Sequence, residues 1–166
     1  FGGSTPLVAD TAWVAPNATL IGDVTLHDSS SVFYGTVLRA DVASITLGER
    51  SNLQDNVTVH CDSGVPTTIG SGVSVGHAAT LHGCTIEDDC LIGMGATVLN
   101  HAVIGTGSLV AAGTVVLEGT IVPPGSLVAG VPGKVRRELT DEERAGIRAN
   151  GERYVQYAVA HREATS

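Results

Sequence analysis

Charged and aromatic side chains are scarce in this chain of 166 residues: Asp, Glu, Lys and Arg together make up 16%, and Phe, Trp and Tyr only 4%. A core with so few rings must be filled by small and β-branched side chains. Positive charge is the scarcer sign, with nine Lys and Arg against seventeen Asp and Glu, a net charge of −8. Nucleic acids and anionic membranes are both held by Lys and Arg, so neither is an expected partner. No apolar run approaches the ~18 residues that cross a bilayer, and no basic head with an apolar middle marks a secretory signal. Cysteine is limited to Cys61, Cys84 and Cys90, without a CxxC pair. That usage predicts small buried thiols in a reducing compartment, hence a cytoplasmic protein. With 43% hydrophobic residues the chain is expected to fold rather than stay disordered.

Glycine, in contrast, is abundant, with 21 residues, and it keeps company with a repeat. From Ile69, aliphatic residues recur at Val75, Leu81, Ile86, Ile92, Val98, Ile104, Val110 and Val116, in steps of six with a single five. Ile121 and Val128 continue the series, and Leu38, Ile45, Leu53 and Val59 precede it at steps of seven, eight and six. The following residue is often small, as in Ile69-Gly70, Ile92-Gly93 and Val110-Ala111. A period of six suits neither a helix nor a plain alternating strand. It suits a short straight side followed by a corner, where the small residue lets the backbone turn. Three sides close a coil of about 18 residues, and stacked coils form a parallel β-helix. The expectation is a mainly β chain, with a β-helix over residues 1–133.

The repeat ends at Gly130-Val131-Pro132-Gly133, leaving 134–166 as a linker and a C-terminal helix packed on the β-helix. Thr140-Asp141-Glu142-Glu143 reads as a capping box, and the helix is expected over about Asp141–Arg162. Gly146 and Gly151 each weaken it by ~1 kcal/mol relative to Ala, so it must gain stability by docking.

The repeat also places the histidines. One coil separates Val59 from Leu81, so His60 and His82 occupy the same slot in adjacent coils, where strands stack ~4.8 Å apart. One coil earlier, Arg39 falls in that column. His77 lies in another column, which it shares with Asp55, and Gln54 sits beside Asp55. Zinc–nitrogen bonds are ~2.0–2.1 Å, and five residues around a corner put His77 out of easy reach of the His60/His82 pair. A neighbouring copy could supply it. Joining the two columns across a seam brings His77 of one chain to His60 and His82 of the next, and Asp55 to Arg39. Because the coil has three sides, such contacts close a cyclic trimer with three shared metal sites. The plainer alternative is a set of exposed polar residues on a solenoid face.

At these residues the sequence resembles the γ-class carbonic anhydrase family, in its short-acidic-loop form. The matching segments are Val37-Leu38-Arg39-Ala40-Asp41, Ser51-Asn52-Leu53-Gln54-Asp55-Asn56-Val57, Val59-His60, Gly76-His77 and Leu81-His82-Gly83-Cys84. Ile92-Gly93-Met94-Gly95 and Ala129-Gly130-Val131-Pro132 match as well. The resemblance implies a left-handed parallel β-helix of hexapeptide repeats, assembled as a homotrimer, that reversibly hydrates CO2 to bicarbonate. It implies Zn2+ held by His60, His77 and His82, although imidazoles also accept Fe2+ or Co2+. Asn52 and Gln54 would position the attacking water and the substrate. Arg39, Asp41 and Asp55 would form ion pairs between subunits, and Tyr154, chosen over Tyr157, would lie near the site. Three neutral imidazoles leave the cation its full charge, which lowers the pKa of a bound water to ~7. Met94, one coil above His77, is either an apolar wall for CO2 or core packing.

The chain departs from the family's best-known members around proton transfer. Val42 follows Asp41, and only Cys61-Asp62-Ser63-Gly64-Val65-Pro66 follows His60, so the long acidic loop is missing. Asp62 and His101 are the candidate proton shuttles, although a turn Asp and a solvated corner His are the plainer assignments. Two rival functions stay open. One is an acyl-CoA-related transferase or thioesterase on the same scaffold, for which Lys134, Arg136 and Arg137 supply a small basic cluster. The other is a metal-binding scaffold subunit with little or no carbonic anhydrase activity.

Overall fold

The computed structural model describes residues 1–165. Short strands, most of two or three residues, follow each other at the hexad period and stack in register on three faces. One face stacks the first residues of Val37–Leu47 with Thr58–His60, Thr80–His82, Thr97–Val98 and Val115–Val116. A second stacks the last residues of Val37–Leu47 with Thr67–Ile69, Thr85–Ile86, Val103–Ile104 and Ile121–Val122. The eleven residues of Val37–Leu47 round the corner unbroken and join these faces into one sheet. The third face runs from Trp13–Val14 through Ser31–Val32, Asn52–Leu53, Ser74–Val75, Leu91–Ile92 and Leu109–Val110 to Ser126–Ala129. Every one of these pairings is parallel.

The hexad aliphatics point inward and fill the bore of the coil. Leu38, Val59, Leu81, Val98 and Val116 form one fully buried row, and Leu53, Val75, Ile92 and Val110 another. Burying each such side chain contributes about 1.5–3 kcal/mol. Cys61, Cys84 and Cys90 are free thiols within this core. Burial pushes Cys84 and Cys90 up to about 12, so they behave as small apolar side chains.

The small residue after each aliphatic has a different cause from the expected turn. A Cβ on Gly93 would fall 2.4 Å from the backbone nitrogen of Ala112, and one on Gly105 would fall 2.6 Å from that of Pro124. The next coil passes directly over these positions and leaves no room for a side chain. The left-handed corners lie elsewhere, for instance at Gly107, Gly113, Asn56 and His101, all with φ near +60°.

Lys134–Glu138, within the stretch read as a linker, is a strand that pairs antiparallel with Ser126–Ala129 and closes the end of the third face. Helix α1 then runs over Asp141–Thr165, three residues beyond the expected end. The capping box forms: Thr140 Oγ1 accepts from the Glu143 N–H at 3.2 Å, and Glu143 accepts from the Thr140 N–H at 2.9 Å. The helix docks along the third face against Trp13–Val14, Ser31–Val32, Asn52–Leu53 and Ser74–Val75. Gly151 is buried there, and a Cβ would meet the Gly72 carbonyl at 3.3 Å, so glycine suits the contact. Near the helix end His161 stacks on Trp13, and its Nδ1 lies 2.9 Å from the Tyr34 hydroxyl. With Phe33 and Tyr154 these rings gather most of the chain's few aromatics into one clasp.

Candidate metal centre

Strand register places Arg39, His60 and His82 side by side on successive coils of the first face. The backbone there is held from the next strand. Thr67 Oγ1 donates to the His60 carbonyl at 2.6 Å and accepts from the Gly83 N–H at 2.9 Å. The two imidazoles are half-buried, with His60 Nδ1 2.9 Å from His82 Nε2. Their outer nitrogens are both engaged. His60 Nε2 lies 3.0 Å from Asp41 Oδ1, and Asp41 in turn pairs with Arg39 through its other oxygen. The Arg39 hydrogen bond holds the Asp41 carboxyl below the usual range, so it is a carboxylate and can only accept. His82 Nδ1 lies 2.6 Å from Asn100 Oδ1, whose amide nitrogen donates to Asp62 Oδ2 at 2.7 Å.

These contacts determine where the protons lie. Both acceptors draw the ring N–H outward, so in the neutral rings His60 Nδ1 and His82 Nε2 face each other as lone pairs. Two lone pairs at that distance repel unless a positive charge lies between them, either a shared proton or a metal ion. Two metal–nitrogen bonds of ~2.0–2.1 Å at a tetrahedral angle span roughly 3.3 Å between nitrogens. The observed 2.9 Å falls about 0.4 Å short of that span, so a small opening of the pair lets the two ring nitrogens hold a metal of this kind.

His77 stands at a different corner, after Ser74–Val75. Its Nδ1 lies 2.9 Å from Asp55 Oδ2, and Asp55 Oδ1 accepts from the Tyr34 N–H at 3.3 Å. Backbone hydrogen bonds from Asn56 to Tyr34, Ala78 to Asp55 and Gly95 to His77 order Tyr34, Asp55, His77 and Met94 as one column. Among the described residues, no three His, Cys, Asp or Glu side chains of a single chain converge on one point. A single chain therefore holds a pair of imidazoles on one face and a single imidazole at another corner.

The corner of His77 opens into a cleft of about 410 Å3 between the third face and α1, lined by Gln54, His77, Leu91, Met94, Asn150 and Tyr154 among others. Gln54 is buried; its amide nitrogen donates to Asn52 Oδ1 at 3.3 Å, and Asn52 donates to Ser74 Oγ at 2.9 Å. This chain of amides leaves Gln54 one fixed orientation at the cleft wall. Tyr154 lines the same cleft, and burial raises its hydroxyl above the usual tyrosine value. Tyr157 packs edge-on against Tyr154, is exposed, and is not part of the lining. Met94 is 59% exposed and so is a cleft wall rather than core.

Asp62 is exposed, and its contact is with Asn100 rather than with either ring. His101 is an exposed left-handed corner residue. Sequence reasoning passed over Asn100, Ser74 and Asn150. For Asn100 a signal was available in the five-residue step from Leu81 to Ile86, which shortens that coil beside Gly83 and lets the next corner overhang His82.

Residues 66–100 and 83–118 match the family model described as bacterial transferase hexapeptide (six repeats). A protein of Methanocaldococcus jannaschii named as a probable carbonic anhydrase is 50% identical over 149 residues, covering 90% of this chain and 94% of its own length. The mitochondrial gamma carbonic anhydrase 2 of Arabidopsis thaliana is 45% identical over 162 residues, 94% of this chain and 58% of that longer protein. Among solved structures, a hexapeptide transferase family protein from Anaplasma phagocytophilum superposes with a TM-score of 0.92 at 42% identity, covering 95% of this chain and 93% of its own. Relatives at 45% and 50% identity, aligned over 94% and 90% of the chain, make it a member of the γ-class carbonic anhydrase family.

Proposed function

We propose that the protein is a carbonic anhydrase, which reversibly hydrates CO2 to bicarbonate at a metal centre shared between copies of the chain. The observation that carries the reading is the pair of facing ring nitrogens, His60 Nδ1 and His82 Nε2, whose outer nitrogens are both turned to acceptors. His60 and His82 supply two ligands, and His77 of a neighbouring copy supplies the third. Zn2+ suits three imidazoles, and Fe2+ or Co2+ would be accepted by the same set. When bound, the metal makes a water acidic enough to act as a nucleophile near neutral pH.

The protein's own groups do the rest. Three copies related by a cyclic axis bring the corner of Asp55 and His77 against the face of Arg39, Asp41, His60 and His82. In that arrangement Arg39 exchanges its partner within the chain, or shares it, with Asp55 across the seam. Gln54, held by Asn52, presents an uncharged amide that orients the attacking oxygen and the substrate. The apolar walls at Leu91 and Met94 keep bulk water from the small, non-polar CO2, and Tyr154 closes the helix side. Asp62, which contacts Asn100 beside His82, and His101 are the candidates for carrying the released proton to solvent.

The deciding experiment pairs elemental analysis of anaerobically purified protein with stopped-flow CO2 hydration on the same sample. The expected result is one metal per chain and hydration that is lost on chelation. Full metal with negligible hydration would leave a metal-binding scaffold, and thioester cleavage in its place would leave the acyl-CoA reading.

A further inference from the structure

The His82 ring is held by a relay that the ligand set alone does not account for. Asn100 Oδ1 lies 2.6 Å from His82 Nδ1, and Asn100 Nδ2 donates to Asp62 Oδ2 at 2.7 Å. A carboxylate accepts only, so it fixes which end of the amide faces it. With Nδ2 turned to Asp62, the carbonyl end must face the imidazole.

The backbone is shaped to hold this relay. The Asn100 carbonyl accepts from the Gly119 N–H at 2.8 Å, and the next residue, His101, donates to the Gly83 carbonyl at 2.7 Å. A Cβ on Gly83 would fall 2.3 Å from Asn100 Oδ1 and 2.9 Å from a Val65 methyl, so only the missing side chain gives the amide its place beside His82. Val65 also donates to the Asp62 carbonyl at 2.9 Å, which closes the short loop and sets the carboxylate over Asn100.

We propose that Asp62 and Asn100 form a tautomer lock on His82. The pair keeps the proton on Nδ1, so the Nε2 lone pair points at His60 Nδ1. Both are positioning residues acting through His82. In this role the short loop after His60 serves the metal ligand, and Asp62 acts on its orientation. The consequence for metal affinity rests on the reading of the site given above; the tautomer itself does not.

The test uses full-length, nitrogen-15-labelled protein, first stripped of metal and then titrated with Zn2+. Long-range proton–nitrogen correlation spectra at neutral pH should show His82 with its proton on Nδ1 in the wild type. Asn100→Leu should move it toward Nε2–H and weaken Zn2+ binding by about 10–100-fold in chelator competition. The exchange variant, Asp62→Asn with Asn100→Asp, retains an acceptor for His82 and a donor between the two side chains. It should restore both readouts, which general damage to the fold would not do. Should Asn100→Leu fail to fold, Asp62→Ala on the exposed loop frees the amide to flip and should shift the tautomer in the same direction. A wild type whose His82 Nδ1 carries no proton, or variants with unchanged tautomer and affinity, would overturn the lock. A wild type that takes up no Zn2+ would instead overturn the metal reading, and the tautomer measurement alone would then decide the lock.

Discussion

His77 Nδ1 lies 2.9 Å from Asp55 Oδ2, and both residues stand in the corner column that begins at Tyr34. An acceptor beside Nδ1 favours the proton there and leaves the lone pair on Nε2. The same carboxylate receives the Tyr34 N–H, so one side chain ties the ring, the corner and the start of the aromatic clasp together.

Asp55→Ala removes the group that orients His77 and, in the proposed trimer, the partner of a neighbour's Arg39. Metal affinity should fall by about 10–100-fold, as expected for loss of a group that supports a ligand. The trimer should weaken as well, because Arg39 is left without its partner across the seam. Sedimentation velocity and zinc content on the same preparation read both effects. A stable trimer with full metal would count heavily against pairing these two columns.

His77→Ala separates assembly of the metal centre from folding of the chain. The side chain is 43% exposed and is not part of the core. Circular dichroism should be unchanged, while bound metal and CO2 hydration are lost together. Loss of the β-helix signal in this variant would show that His77 has a structural task.

How much of this was legible beforehand follows from the repeat. Counting hexads gives register directly, so the stacking of Arg39, His60 and His82, and of Asp55 with His77, could be read from spacing. The capping box was legible because both partners lie within four residues. The aromatic clasp was not: Tyr34 and His161 are 127 residues apart and belong to no shared period. Lys134–Glu138 escaped because an antiparallel strand with all five residues exposed carries no hexad and no alternation. The small residues were found at the right positions but for the wrong reason, since spacing along one coil says nothing of the backbone crossing above it.

That crossing gives a stability contrast between two glycines. At Gly93 a Cβ would sit 2.4 Å from the Ala112 nitrogen, whereas at Gly113 nothing lies within 4 Å and the demand is a φ of +67°. Gly93→Ala must force two coils apart and should cost about 1–3 kcal/mol or more. Gly113→Asn keeps a residue that tolerates the left-handed region and should cost less than about 1 kcal/mol. Urea unfolding of the two variants checks the order, and the reverse order would refute close coil stacking as the cause.

Leu81 tests the core beneath the column of Arg39, His60 and His82. It is fully buried, pairs in register with Val59 and Val98, and directly precedes His82. Leu81→Ala should lower unfolding stability by about 2–5 kcal/mol. Because the cavity lies under the strand that carries His82, metal affinity should also fall, whereas an equal truncation at Ile104, on the second face, should leave it close to wild type. Urea unfolding with chelator competition separates the two effects.

The helix cap gives a dependence on pH. Arg137 holds Glu143 in a two-pronged pair at 2.8 and 2.7 Å, and this bond, helped by the Thr140 N–H, lowers the Glu143 carboxyl to about 2. The unfolded chain has the ordinary value of ~4.3. A carboxyl lowered on folding stabilises the native state above the unfolded value and loses that contribution as pH falls through the folded one. Glu143→Gln should therefore melt below the wild type at pH above ~4.3, and the difference should shrink between there and about 2. Arg137→Gln should follow the same curve, because it removes the other half of the pair. Melting curves of the three proteins across this range test the assignment, and a gap that stays constant down to the lowest pH would show that the charge on Glu143 does not hold the cap.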